Sequence, residues 1–214
     1  MEARAPGGVE PAQQEDAAPN PTPPTSPSPL PLPAPPRRPS VSGLSRVTHS
    51  LYLSGGAAAR SQALLAAQGI TAVVRVHAAA EAVAPRLGAL RCLRVPVADS
   101  PSARLCDFFD VVADFIHDEE QRRGRTLLHC GAGVSRSPAL CLAYLMRHQG
   151  LSLRDAHAWA RACRPIIRPN LGFWEQLVRY ELQLLGRNSV HMVSSAAGTV
   201  PDLYEPELRL LVPL

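Results

Sequence analysis

At 214 residues the chain has room for about one to one and a half domains, and one compact core is the expectation. Its 22 Lys and Arg against 18 Asp and Glu leave a formal charge of +4. The basic residues are scattered rather than gathered into a stripe interleaved with aromatics, which argues against nucleic acid as a partner. Cys92, Cys106, Cys130, Cys141 and Cys163 are odd in number and form no CxxC, so neither a disulfide framework nor a zinc site is indicated.

Residues 1–40 are rich in Pro, Ala and Ser, with no large apolar residue between Val9 and Leu30, and are expected to be a disordered extension. Within them Pro33, Pro36 and Arg38 match a PxxPxR ligand for SH3-type grooves. Thr22, Ser26 and Ser28 each precede a proline, as proline-directed kinases require. The start MEARAPGGVEPAQQED carries acidic residues and no apolar stretch, so it does not read as a secretory signal, and Glu2 excludes myristoylation. No apolar run approaches the roughly 20 residues that cross a bilayer. A soluble protein of the cytoplasm or nucleus is expected, in a reducing compartment.

From residue 41 to 187 strand and helix signals alternate. RVTHSLYLSG reads as a strand or hairpin edge, and SQALLAAQG as a short helix capped by Ser61 and stopped at Gly69. ITAVVRV and RCLRVPV are strands, the latter followed by the turn ADSP. ARLCDFFDVVADFIHDEEQRRG is an amphipathic helix. Leu105, Phe108, Val112, Phe115 and Ile116 share its apolar face, Gly124 is its stop, and Asp107, Asp110 and Asp114 lie on a solvated face.

RTLLHC is short and continuously apolar, as a strand buried on both faces should be. A helix then begins near Pro138 and closes at Gly150, the next is capped by Ser152 with Asp155, and the last enters through Pro169 and Asn170 and stops at Gly186. The order predicts an α/β fold with a mostly parallel central sheet flanked by helices. Residues 188–214 hold enough Leu and Val to be expected to dock on the domain as a tail.

Chemistry concentrates in LLHCGAGVSRSP. A cysteine at the carboxyl end of a buried strand sits where ligands bind in such folds. Gly131 and Gly133 permit positive φ angles that turn the backbone N–H groups of Gly131, Ala132, Gly133, Val134 and Ser135 inward. The helix after Ser137 aims its positive end at the same point. This makes an anion cradle. The same field lowers a thiol from about 8.5 to between roughly 3.5 and 7.5, so a nucleophilic thiolate is expected at Cys130.

Arg136 offers a planar fork for two phosphoryl oxygens, and Ser137 a hydroxyl for the sulfur when it departs. His129 is expected to hydrogen-bond the backbone and orient the loop. Asp99, on a strand-to-helix turn, is the candidate general acid. Cys92, Cys106, Cys141 and Cys163 read as structural, and Trp159, Phe173 and Trp174 as core or rim packing.

The pattern H-C-x5-R-S of His129, Cys130, Arg136 and Ser137 occurs with VPVADSP upstream and RPIIRPNLGFWEQL downstream. Together they resemble the cysteine-dependent, atypical dual-specificity protein phosphatases, from about Ser45 to the carboxyl terminus. Within that family the tail VHMVSSAAGTVPDLYEPELRLLVPL is most similar to the branch numbered 18 and 21. The resemblance implies the protein tyrosine phosphatase-like fold and hydrolysis of phosphotyrosine, phosphoserine and phosphothreonine in a shallow pocket, with neither metal nor cofactor. It further implies a phosphocysteine at Cys130, proton transfer by Asp99 in both steps, a loop brace at Asn170, and mitochondrial association.

Two features depart from that family. Arg75 stands where relatives carry Asn, near the floor of the site, and the Pro-rich extension has no counterpart in the short relatives. From the residues alone, a catalytically silent phosphoprotein-binding module and a phosphatase acting on a non-protein phosphate remain as alternatives. The uncharged residues Gly131 to Val134 favour protein substrates over polyanionic headgroups.

Overall fold

The computed structural model describes residues 42–78, 90–195 and 198–209. The extension, with its Pro33 to Arg38 ligand match and its steps at Thr22, Ser26 and Ser28, lies outside the described residues. In chain order the first elements are β1 (Ser45–Arg46), β2 (Leu51–Gly55), α1 (Gly56–Ala59), α2 (Gln62–Ala67), β3 (Ala72–His77) and β4 (Arg91–Pro96). A 3-10 turn (Cys106–Phe108), α3 (Phe109–Gln121), β5 (Thr126–Cys130), α4 (Arg136–Gln149), α5 (Leu153–Cys163) and α6 (Leu171–Leu185) follow. Among the described residues no helix is long and apolar enough to cross a membrane.

The strands form one sheet in the order β1-β2-β5-β3-β4, parallel except for the antiparallel hairpin edge β1. β5 is central and buried along its whole length, so its sequence carries no polar alternation. Side chains alternate across the pleat. Tyr52, Val73 and Leu127 therefore fall on one face, under α1 and α2 with Leu65 and Ile70. Leu53, Val74 and Leu128 fall on the other, against α3 to α6. α4 runs through the middle of that second layer, and every residue from Ser137 to Met146 is buried.

Local signals explain most boundaries. Ser61, Ser152 and Asn170 cap α2, α5 and α6 by accepting from backbone N–H groups three residues on. Gly150 and Gly186 end α4 and α6 in the left-handed conformation. α3 differs from its sequence reading in three ways. Its first turn is a 3-10 turn, and Phe109 is buried while Phe108 and Phe115 only flank the core. Arg123 rather than Gly124 takes the left-handed turn after it, with φ +60°. A Cβ on Gly124 would meet Glu119 Oε1 at 2.2 Å, so this glycine is needed for closeness.

The acidic face of α3 is solvated at Asp107 and Asp110, as expected, and it also grips the neighbouring helices. Asp114 accepts from Arg147 and His148 of α4, and Asp110 pairs with Arg147 and accepts from the Tyr180 hydroxyl of α6. The exposed cysteines are a second correction: Cys92 and Cys106 lie at the surface, not in the core, whereas Cys141 and Cys163 are buried.

After α6 the chain forms a hairpin of β6 (Met192–Ser195) and β7 (Gly198–Pro201), a 3-10 turn (Asp202–Tyr204) and α7 (Glu205–Arg209). Tyr204 is 2% exposed, edge-on to His157 and Trp174, with the Arg168 guanidinium 4.5 Å from its ring centre. Deleting a buried aromatic side chain costs about 3 kcal/mol or more. Tyr204→Ala should lower the urea midpoint correspondingly with the slope kept, and a change below about 1 kcal/mol would show that this contact does not hold the fold.

Candidate active site

Cys130 ends β5, and residues 131–135 turn from it into α4. The carbonyls of this loop are all tied outward. Gly131 O accepts from the Gly56 N–H at 2.8 Å, and Val134 O from the Arg168 N–H at 2.7 Å. Between them Arg164 donates from Nη2 to Ala132 O at 3.3 Å and from Nε to Gly133 O at 2.9 Å. Because each peptide is planar, fixing four carbonyls away from the centre turns the following N–H groups towards it.

The sulfur lies inside this ring. The Gly133 N–H donates to Cys130 Sγ at 3.3 Å, and the Ser137 hydroxyl donates to it at 3.2 Å. Gly133 has φ +69°, and a Cβ there would stand 2.4 Å from Ser54 O, so both conformation and space demand glycine. A Cβ on Gly55 would already touch Ala132 O at 3.0 Å, which shows how closely β2 backs the loop.

Arg136 begins α4 and lies 11% exposed over the loop. Its Nη1 donates to Val97 O at 3.3 Å, and its Nη2 would be 3.4 Å from a Cβ on Gly131. Its Nε is buried with no hydrogen-bond partner, 3.7 Å from Asp99 Oδ2. Asp99 is fixed by the loop itself: Oδ1 accepts from the Ser135 hydroxyl at 2.7 Å and from Asn170 Nδ2 at 2.9 Å. The Asn170 N–H donates to Ser135 Oγ at 3.1 Å, while its Oδ1 caps α6 by accepting from the Phe173 N–H at 3.0 Å.

The sequence-selected residues thus converge, Cys130, Arg136, Ser137, Asp99 and Asn170 together with the loop from Gly131 to Ser135. His129 keeps the backbone hydrogen bond expected of it, at Cys130, while its Nδ1 has no hydrogen-bond partner, and it is 8% exposed. Burial, opposed by that backbone hydrogen bond and reinforced by the charges of Arg75, Arg60 and His77, pushes its pKa down to about 4, leaving a neutral ring. Arg75 is half-buried beside it, paired in register on β3.

Two contributors escaped the sequence reading. Arg164 is 1% exposed, and a charged residue so deeply placed is uncommon unless it satisfies other groups. No local signal marks it, for it is the extended residue just after α5, one of several arginines in that stretch. Gly172 is the other: a Cβ there would overlap Pro101 O at 1.9 Å, so α6 can abut the Asp99 turn only with glycine.

A buried-strand cysteine ringed by amides, a fork-shaped cation and a carboxyl held over them define a phosphate-handling centre of the cysteine-dependent type. The chain matches the family described as Dual specificity phosphatase, catalytic domain, over residues 51–183. It is 59% identical over 178 residues to dual specificity protein phosphatase 18 of Homo sapiens, covering 83% of this chain and 94% of that one. To dual specificity protein phosphatase 21 of Homo sapiens it is 50% identical over 176 residues, 82% and 92% of the two chains. The crystal structure of human DUSP28 superposes with a TM-score of 0.63 at 37% identity, covering 73% of this chain and 98% of that one. The chain belongs to the dual specificity phosphatase family, and its activity is that of a dual-specificity protein phosphatase.

Two measurements check this architecture. Arg164→Met keeps an apolar stem but frees two loop carbonyls. Turnover of an aryl phosphate should fall by about 10- to 100-fold, with a stability loss of about 1 to 3 kcal/mol from the freed carbonyls that leaves the protein folded at the assay temperature. An activity loss that appears only where the variant unfolds would make Arg164 merely structural.

His129 and His157 are both pushed to about 4 by burial. The unfolded chain binds their protons near about 6.5, so stability present above that pH is lost as pH falls towards 4, by up to about 1.4 kcal/mol per unit for each. Urea midpoints at pH 7 and pH 5 should differ accordingly, less so in His157→Gln; equal midpoints would contradict the assignment.

Proposed function

We propose that Cys130, Arg136, Asp99 and Ser137 carry out phosphomonoester hydrolysis in two steps through a phosphocysteine. The observation that carries this reading is the buried Nε of Arg136, without a hydrogen-bond partner, beside a loop whose Gly133 N–H and Ser137 hydroxyl both donate to the Cys130 sulfur. A buried donor without an acceptor costs free energy, and an oxyanion in the ring supplies that acceptor.

In the first step the Cys130 sulfur attacks phosphorus, the bond to the substrate oxygen breaks, and Asp99 gives its proton to that departing oxygen. In the second, water attacks phosphorus and yields a proton to Asp99, the S–P bond breaks, and inorganic phosphate leaves. Ser137 Oγ, 3.2 Å from the sulfur, donates to it as it departs. Arg136 and the amides of the loop hold the equatorial oxygens through both steps, where charge changes most. The Ser135 hydroxyl and the Asn170 side chain position the Asp99 carboxyl.

Phosphorylated side chains of proteins are the substrates in this reading. A cytoplasmic or nuclear setting, where thiols stay reduced, suits it. Three variants test it on an aryl phosphate and on a phosphopeptide. Cys130→Ser should abolish turnover. Asp99→Ala should cut kcat by about 10²- to 10⁴-fold and retain bound substrate, and Arg136→Lys should lose about 10²-fold or more despite keeping its charge. Turnover that survives Cys130→Ser would sink the mechanism, and phosphopeptide binding with no turnover by the unsubstituted protein would favour a binding module.

A further inference from the structure

A single exposed aliphatic side chain is ordinary, but several gathered beside a polar site mark a contact surface. Among the described residues five large apolar side chains are exposed: Leu64, Val111, Ile166, Leu171 and Leu182. Ile166 and Leu171, each 39% exposed, fall together in the stretch 166–171.

That stretch is bound to both the loop and the acid. The Arg168 N–H donates to Val134 O at 2.7 Å, the Asn170 N–H to Ser135 Oγ at 3.1 Å, and Asn170 Nδ2 to Asp99 Oδ1 at 2.9 Å. Ile166 precedes the first of these anchors and Leu171 directly follows the other two. Gly172 meets the backbone of Pro101, so Leu171 comes next to that exposed proline on the acid turn. Val134, half-buried, lies at the Arg168 anchor.

The fold holds this aliphatic pair outward. Ile167 and Pro169 are buried between its two members, and Pro165 and Pro169 restrict the backbone further. A surface ordered in advance loses little entropy when a ligand covers it. Charge does not compete there. Arg168 alone is charged in 165–171, and its guanidinium is engaged by the Tyr204 ring and Glu207. Residues 131–135 of the loop carry no charge either.

We propose that Ile166 and Leu171, with Pro101 and Val134, form an apolar rim to the phosphate cradle, taking an aliphatic side chain of the substrate protein next to the phosphorylated residue. The occupant follows from continuity. A phosphorylated residue seated in the cradle brings its own neighbours across the stretch anchored to the cradle's edge. This rests on the reading of Cys130 given above and adds a substrate class to it. A charged neighbour would instead lose water against a surface that offers it no partner.

Binding to the full-length Cys130→Ser protein tests the rim. The probes are phosphotyrosine peptides with Leu directly before the phosphotyrosine, Leu directly after it, or Ala on both sides. Covering the exposed parts of Ile166 and Leu171 should make one of the Leu peptides about five- to tenfold tighter than the Ala peptide. That ratio should fall towards one when Ile166→Gln and Leu171→Gln are added together, while the Ala peptide keeps its affinity. Three equal affinities, or a Leu advantage the substitutions do not move, would overturn the rim. So would parallel weakening of Leu and Ala peptides, which marks a structural role, and undiminished binding of the Leu peptide without its phosphate, which marks docking away from the cradle. Self-association that the two substitutions abolish, with no peptide ratio, would assign the patch to a second copy instead. Aryl phosphate turnover by the unsubstituted protein is scored separately: its absence would remove the hydrolytic reading of Cys130 and leave the peptide ratio to judge the rim.

Discussion

Four carbonyls pulled outward hold this active site open. Gly131, Ala132, Gly133 and Val134 surrender their oxygens to Gly56, Arg164 and Arg168, and peptide planarity does the rest by turning amides towards Cys130. Without these anchors a loop of small residues has many conformations, and the entropy of fixing it would fall on substrate binding. Arg164 does more than supply two donors, for it also donates to Ser45 Oγ at 3.2 Å and so fastens the loop to the hairpin edge of the sheet. Its burial lowers its own pKa, and the nearby Cys130 acts in the opposite sense. The arginine that braces the loop and the nucleophile within it are thus electrostatically joined.

The acid is tied to the same framework. Ser135 belongs to the loop, yet its hydroxyl holds Asp99 and its oxygen accepts from Asn170. Asn170 in turn caps α6, whose Gly172 lets the helix come up against Pro101 beside Asp99. Loop, acid turn and helix cap therefore share one network. A displacement of any of them changes the distance between proton donor and sulfur, which is the quantity that a positioned acid must keep constant.

Much of this was legible in the sequence because it rests on local chemistry. The strand ending at Cys130, the glycine at position 133, the caps Ser61, Ser152 and Asn170 and the stops Gly150 and Gly186 all act within a few residues of themselves. The pairing of strands followed from the alternation of elements. What was not legible acts across the fold. Arg164 reaches 31 and 32 residues back in sequence, and the exposed Asp110 and half-exposed Asp114 gain partners, Arg147, His148 and Tyr180, that lie on α4 and α6. Phe109 displaced Phe108 from the core because a 3-10 turn at the helix start rotates the phase of the apolar stripe. The neutral state of His129 was not legible for a similar reason: burial and neighbouring cations outweigh its backbone hydrogen bond.

Arg168 carries a contact whose reach extends to the far end of the chain. Its backbone N–H holds Val134, its guanidinium covers the Tyr204 ring, and one of its nitrogens lies 3.2 Å from Glu207. α7 therefore leans on the rim of the reaction centre. A perturbation that lifts Glu207 away from Arg168 is passed along one residue to the carbonyl anchor at Val134, and so is felt where phosphate binds.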